Sequence, residues 1–194
     1  MELTDLDALK AFPSTYPQNL RTFYSPADGT AVHEALKAVI GGAQHSVVVS
    51  AYGYDDDELD AILHTKASDP NIYFQMVLDR SQAGGVHERE LLASWNAGQV
   101  GTSISVGTSE KGAIQHMKAA VIDGRFVITG STNWSSSGES LQDNQLTVLD
   151  DAVAAAELRS RIDVIHDAQL KQMAARAAAA NPTPAAPAAT EGAA

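Results

Sequence analysis

The sequence contains no cysteine, which excludes disulfide frameworks and every zinc or iron–sulfur site built on thiolates. Basic residues are scarce: 13 Lys and Arg stand against 24 Asp and Glu, for a formal net charge of -11. A surface this acidic does not coat nucleic acid or an anionic membrane as a whole, so a polyanionic substrate would need a local basic site that outweighs the global field. No unbroken apolar run approaches a membrane span, and no stable membrane insertion is expected. The opening Met1-Glu2-Leu3-Thr4-Asp5-Leu6-Asp7 is acidic and amphipathic, the opposite of a signal peptide, so a cytoplasmic location is expected, with a secreted form that has lost its leader as the alternative. Internal repeats are missing too. What remains is ordinary globular usage, 44% apolar and 19% charged over 194 residues, enough for one domain with a sizeable core.

Three stretches can be delimited: an N-terminal helical extension at 1–19, a domain at 20–173 and an Ala/Pro-rich tail at 174–194. The tail holds 12 alanines and three prolines, and Pro182, Pro184 and Pro187 predict an extended or disordered end. Within the body, apolar periodicity alternates between helix and strand. A short helix is predicted near Asp5–Phe12, and a second carries Val32, Ala35, Leu36, Val39 and Ile40 up to Gly41-Gly42. A buried strand follows at Ser46–Tyr52, then a helix with Leu59, Ile62 and Leu63 whose dipole-favoured first turn is Asp55-Asp56-Asp57. Next come a strand at Ile72–Leu78, a helix with Leu91, Leu92 and Trp95, and a short strand at Ile104–Val106. Ala119–Ile122 and Phe126–Thr129 flank Asp123-Gly124, a strong hairpin signal. A strand at Gln145–Leu149 and a long helix from Ala152 to Ala175, with Leu158, Ile162, Ile165 and Met173 inward, complete the pattern. The fold class is α/β, a mixed sheet with helices on both faces.

Chemistry concentrates in Gln115-His116-Met117-Lys118, Asp123 and Gly130-Ser131-Thr132-Asn133-Trp134. His116 and Lys118 are two residues apart at a strand start and should share a face, as should Ser131 and Asn133 at the end of the partner strand. An antiparallel hairpin then gathers an imidazole, an ammonium, a hydroxyl and a carboxamide at one open end. Such a set suits an oxyanion: Lys118, Ser131 and Asn133 can donate, and a neutral His116 can attack.

His116-x-Lys118, four residues, Asp123, six residues and Gly130-Ser131-x-Asn133 together resemble the signature of the phospholipase D superfamily. Phe23-Tyr24-Ser25-Pro26, Ser50-Ala51-Tyr52 and Val77-Leu78-Asp79-Arg80-Ser81 are similar to the opening segments of such domains, and the resemblance covers residues 20 to 170. It implies a phospholipase D-like phosphodiesterase with no metal and no cofactor, working through a covalent phosphohistidine. His116 would be the nucleophile, and Lys118, Ser131 and Asn133 would hold the phosphate. Asp143, before Asn144, would be the carboxylate that orients His116, although relatives commonly have Glu there and the spacing is one residue shorter. Asp123, at the turn, is expected to be structural, as is Gly130 in the motif.

A second histidine must protonate the leaving oxygen. Larger members of the superfamily carry two motifs; this chain carries one, and His33, His45, His64, His87 and His166 lack the following lysine. The resemblance to small bacterial Nuc-type endonucleases and to mitochondrial cardiolipin hydrolase implies a homodimer with a shared active site. The expected activity is a nuclease acting on DNA or RNA. A phospholipase acting on a phospholipid headgroup is the alternative, and a catalytically idle phosphate-binding dimeric module the second.

Each residue also has a plain reading. His116 alone would be a strand-end histidine and Lys118 a solvated lysine; the joint pattern decides otherwise. Asp55-Asp56-Asp57 reads as a helix start and not a metal site, because consecutive residues there do not converge on one ion. His87-Glu88-Arg89-Glu90 reads as a solvated face, Gly84-Gly85 as a flexible loop and Trp134 as core packing.

Overall fold

The computed structural model describes residues 1–11, 15–82 and 103–180. Seven strands form one sheet: β1 Leu20–Ser25, β2 Ser46–Ala51, β3 Tyr73–Asp79, β4 Ile104–Gly107, β5 Ala119–Ile122, β6 Phe126–Gly130 and β7 Asn144–Asp150. Their order is β1-β7-β6-β5-β2-β3-β4. The β2, β3 and β4 strands run parallel, whereas β5, β6, β7 and β1 continue antiparallel from β2. This is the expected mixed sheet.

Strand alternation divides the core into two layers. Val47, Val49 and Ala51 of β2 join Phe74 and Met76, Ala120 and Ile122, and Ile128 and Val148 on one face, under α1 Ala31–Gly41 and α2 Asp57–Ser68. On the other face Val48, Val77, Val121 and Val127 meet Ala155, Ile162 and Ile165 of the long last helix. Burial on both faces is why the β2 sequence is a near-continuous apolar run. Asp56 caps α2, its Oδ1 accepting from the Leu59 amide at 2.7 Å, so the Asp55–Asp57 run does start a helix.

Several expectations need correction. The N-terminal helix is a 3-10 helix over Leu3–Leu9, not Asp5–Phe12. Leu3 and Leu6, one 3-10 turn apart, both enter the core of the body. The Arg21 guanidinium meets the Asp7 carboxylate, and Lys10 meets Asp28 at 2.6 Å, so residues 1–10 are fastened to the domain. Strand β1 was not predicted, because Arg21 and Thr22 break its apolar pattern while being buried by pairing with β7. A short helix α3 at Ser136–Ser140 is likewise new, its capping Ser135 accepting from Gly138 N. The last helix, α4, spans Ala152–Ala180, so Ala174–Ala180 belongs to it and not to the tail. Alanine is the best helix former, and the first proline of the tail, Pro182, lies beyond. Arg176 holds this extension to β4 by donating to the Val106 carbonyl at 2.6 Å. Gly84-Gly85, His87–Glu90, the helix with Leu91, Leu92 and Trp95, and residues 181–194 lie outside the described residues.

The β5–β6 hairpin turns through Asp123 (φ 55°) and Gly124 (φ 63°), the twist-matched geometry that Asp-Gly favours. Asp123 does more than turn the chain. Its carboxylate accepts from the amides of His45 (2.7 Å), Ser46 (2.9 Å) and Gln44 (3.0 and 3.1 Å), tying the α1–β2 connection to the hairpin. Burial alone would raise its pKa, but these amides stabilise the anion and hold it below the ordinary value of 3.8. Gly130 is required by close approach: a Cβ there would lie 2.0 Å from the Gln145 carbonyl oxygen of β7.

Two outcomes are expected. Because the folded pKa of Asp123 is depressed, its contribution is present above 3.8 and is lost as pH falls through the folded value. Urea midpoints should therefore place Asp123→Asn roughly 1–3 kcal/mol below wild type at pH 7, the scale of hydrogen bonds to a charged group. That gap should narrow once the pH drops under 3.8; a gap independent of pH would show that the charge is irrelevant. Gly130→Ala should cost roughly 1–3 kcal/mol or more through overpacking, read as a lower thermal midpoint.

Candidate active site

The register sets the site. Ser50 pairs with Ala119, Ala119 with Thr129 and Thr129 with Thr147, so the end of β2, the start of β5, the end of β6 and the start of β7 share one sheet edge. His116 and Lys118 lie just before β5, Ser131 and Asn133 just after β6, and Asp143 just before β7. The motif residues thus meet at one edge, although His116 and Lys118 sit in the segment leading into β5 rather than in the strand itself.

Tyr52, directly after β2, joins the two. Its ring packs edge-on against the His116 ring, centroids 4.5 Å apart, and the Lys118 Nζ lies 4.6 Å from its centroid. Lys118 is buried, 7% exposed, and its ammonium donates to the His116 carbonyl at 3.0 Å. Among the described residues it pairs with no carboxylate. Desolvation accordingly lowers its pKa from 10.5. A desolvated cation without a counter-ion is half of an ion pair, and a bound anion would complete it.

The segment before His116 is held from below. The Gln115 amide donates to Asp79 Oδ2 at 2.6 Å, and its side-chain amide donates to the Ser50 hydroxyl. Asp79 is 1% exposed and also accepts from the Ser81 amide at 2.8 Å. His116 itself is exposed, and neither ring nitrogen is hydrogen-bonded among the described residues.

Ser131 and Asn133 face different partners. The Ser131 hydroxyl donates to Asn144 Oδ1 at 2.9 Å and accepts from the Gln145 amide at 3.1 Å. Asn144 is fixed in turn by donating to the Gly138 carbonyl at 2.9 Å. Asn133 packs on Gly53, where a Cβ would meet its carboxamide carbon at 3.2 Å, and its buried Oδ1 has no partner among the described residues. Asp143 is exposed and shares a shallow pocket of about 320 Å³ with Tyr24, Ser131 and Asn144. No hydrogen bond joins it to His116 among the described residues. Trp134 is fully buried, consistent with packing and not with stacking on a substrate.

The sequence places Tyr52, Gln115, Asp79 and Asn144 in or beside the motif segments but assigns none of them a role in this arrangement. Tyr52 had a usable signal, an aromatic ring at the end of a buried strand. The others are ordinary polar residues whose roles arise only from strand pairing.

The geometry has counterparts. Residues 36–166 match the family model described as "Cardiolipin synthase, PLD-like domain". A relative named phospholipase D, from Rickettsia bellii (strain RML369-C), is 27% identical over 138 residues, which span 69% of this chain and 62% of that protein. Among solved structures, NucT from Helicobacter pylori superposes with a TM-score of 0.66 at 20% identity, covering 77% of this chain and 96% of that one. Nuc from Salmonella typhimurium, a phospholipase D family member, does so at 0.62 and 22%, covering 76% and 93%. At these identities the structures establish a shared fold, and the family match covers well over half of the sequence. The chain belongs to the phospholipase D superfamily, a family of phosphodiesterase-like domains.

Proposed function

We propose that the chain is a metal-independent phosphodiesterase that works as a homodimer, hydrolysing nucleic acid through a covalent phosphohistidine. The observation that carries the reading is the buried Lys118 ammonium, unpaired among the described residues and beside an exposed His116. Lys118, with the Asn133 amide and a Ser131 hydroxyl turned away from Asn144, would meet the non-bridging phosphate oxygens. A nitrogen of His116 attacks phosphorus while the P–O bond to the leaving group breaks. A protonated histidine opposite gives its proton to the departing oxygen. Water, deprotonated by that same histidine, then cleaves the P–N bond, releasing a phosphomonoester and free His116.

The opposite histidine is assigned to the partner subunit's His116. One imidazole cannot serve both as in-line nucleophile and as acid on the far side of one phosphorus. Ile114 and Leu141, 51% and 76% exposed, lie in sequence beside His116 and Asp143 and supply apolar surface for such a contact. Asp143 is assigned the orienting carboxylate, a contact left to the assembled cleft because no hydrogen bond joins Asp143 to His116 among the described residues. A lipid headgroup is the second reading, favoured by the names of the family model and of the Rickettsia relative.

His116→Ala should lower turnover of bis-p-nitrophenyl phosphate by on the order of 10⁶-fold, the scale of a lost nucleophile. Lys118→Ala should cost roughly 10²–10³-fold, the scale of one lost oxyanion donor. Both should keep the wild-type circular dichroism spectrum, and near-normal turnover by folded His116→Ala would remove the assignment. Parallel assays on DNA, RNA and phospholipid vesicles separate the substrate classes, with cleavage of vesicles alone reversing the order of the readings.

Heterodimers test the shared cleft. Dimers holding one wild-type and one His116→Asn subunit, isolated through two affinity tags, should show almost no multiple turnover because one role is always vacant. Independent sites would instead keep about half the wild-type rate, and that result would refute the model.

A further inference from the structure

Behind the motif, three segments remote in sequence bring one imidazole and two buried carboxylates together. His33 stands in the first turn of α1, Asp56 caps α2 and Glu139 lies in α3. His33 Nδ1 is 2.6 Å from Glu139 Oε2 and 3.3 Å from Asp56 Oδ2. Asp56 and Glu139 are 5% and 1% exposed. One ligand atom from each of the three residues lies within 4.8 Å of the others. On the far side of the ring, His33 Nε2 is 3.4 Å from Glu58 Oε2, which Lys37 holds at 2.6 Å. A cavity of about 250 Å³, lined also by Thr30, Ser136 and Ser140, opens the cluster to solvent.

An ordinary histidine–carboxylate pair leaves two features unexplained. Glu139 Oε1 is buried with no hydrogen-bond partner among the described residues, although its carboxylate points into the cluster. A second buried carboxylate, Asp56, also faces the nitrogen that Glu139 already occupies. A lone imidazole therefore compensates these anions incompletely.

We propose that His33 Nδ1, Asp56 and Glu139 form a binding site for a divalent transition metal such as zinc. The donor set, one imidazole and two carboxylates with room for water, suits a borderline cation. Glu58 is the partner that keeps the proton on Nε2 and leaves the Nδ1 lone pair free for the metal, the usual carboxylate–histidine–metal relay. Binding would displace the proton that now bridges His33 and Glu139 into solvent. The 2.6 Å contact must widen to roughly 3.3 Å, the separation of ligand atoms about 2.0 Å from a tetrahedral ion. Bidentate coordination would satisfy Glu139 Oε1. The sequence gives no sign of the site because its ligands lie 23 and 83 positions apart, from His33 to Asp56 and from Asp56 to Glu139.

Its role would be structural. The ion would pin α3 to the starts of α1 and α2, and α3 carries the Gly138 carbonyl that fixes Asn144 and, through it, Ser131. Nothing in this role depends on the phosphohistidine chemistry.

Zinc titration into chelator-treated protein, followed by elemental analysis and thermal unfolding, tests the site. Wild type should retain one zinc per chain and unfold at a higher temperature. His33→Gln and Glu139→Gln should retain none, while Glu58→Gln should bind about 10–100-fold more weakly. His45→Gln, a histidine outside the cluster, should behave as wild type. Failure of wild type to retain zinc, or equal retention by folded His33→Gln and Glu139→Gln, would overturn the assignment. Should those variants not fold, nitrogen-15 NMR of the wild type decides: stoichiometric zinc should move the His33 Nδ1 resonance, and an unmoved resonance refutes the site.

Discussion

One row of backbone pairing runs across all seven strands and everything else hangs on it. Thr22, Thr147, Thr129, Ala119, Ser50, Val77 and Ser105 are successive partners from β1 to β4. A few positions beyond that row lie His116 and Lys118, on the connection into β5, and Ser131, Asn133 and Asp143, on the connection from β6 to β7. A slip of one residue between β5 and β6 would exchange their buried faces and shift His116 and Lys118 relative to Ser131 and Asn133 at once. The devices that resist such a slip are local. Asp123-Gly124 sets the hairpin turn, the Asp123 carboxylate ties it to the α1–β2 connection, and Gly130 admits the Gln145 carbonyl where any side chain would collide. Two of the motif's six residues thus work through the backbone, and their place in the pattern follows from geometry.

Much of this was legible in the sequence, for identifiable reasons. Strands buried on both faces appear as apolar runs, and the β2, β3, β5 and β6 cores were found almost to the residue. The Asp-Gly turn predicted which ends of β5 and β6 come together, and hence the grouping of His116 and Lys118 with Ser131 and Asn133. β1 was hidden because its burial depends on partners: Arg21 is a poor strand residue until Asp7 and β7 enclose it. The α4 helix was cut short because composition marked alanine as tail, whereas Gln172 and Arg176 bind β4 and its outgoing chain. The positioning residues were hidden for a third reason. Gln115, Asp79 and Asn144 act through a few hydrogen bonds at the sheet edge, and no periodicity records those.

Charge shows the same division between global and local. The chain carries eleven more acidic than basic side chains, yet its candidate phosphate site is organised around one lysine shielded from water. Interactions between exposed charges fade over a Debye length, about 8 Å at physiological salt, while a desolvated ammonium is screened much less. Under the proposed function, the acidic surface would set how often a polyanion arrives and the site how firmly one phosphate is held. A weak encounter and a strong local grip are compatible.

On its exposed side the candidate site lacks a partner for His116 among the described residues. Lys118 and the Gln115 segment are held rigidly from within, by Tyr52, Asp79 and Ser50. The His116 ring, by contrast, has packing from Tyr52 but no hydrogen bond among the described residues to choose its tautomer. A nucleophilic imidazole needs that choice made, since only the nitrogen without a proton can attack and the cation formed needs a counter-charge. The subunit thus fixes where the phosphate would sit but leaves open which histidine nitrogen would meet it. A surface laid against this edge is the simplest source of the missing partner. With a single motif in the chain, the proposed second copy of the same edge would bring both that surface and the acid that a leaving oxygen would require.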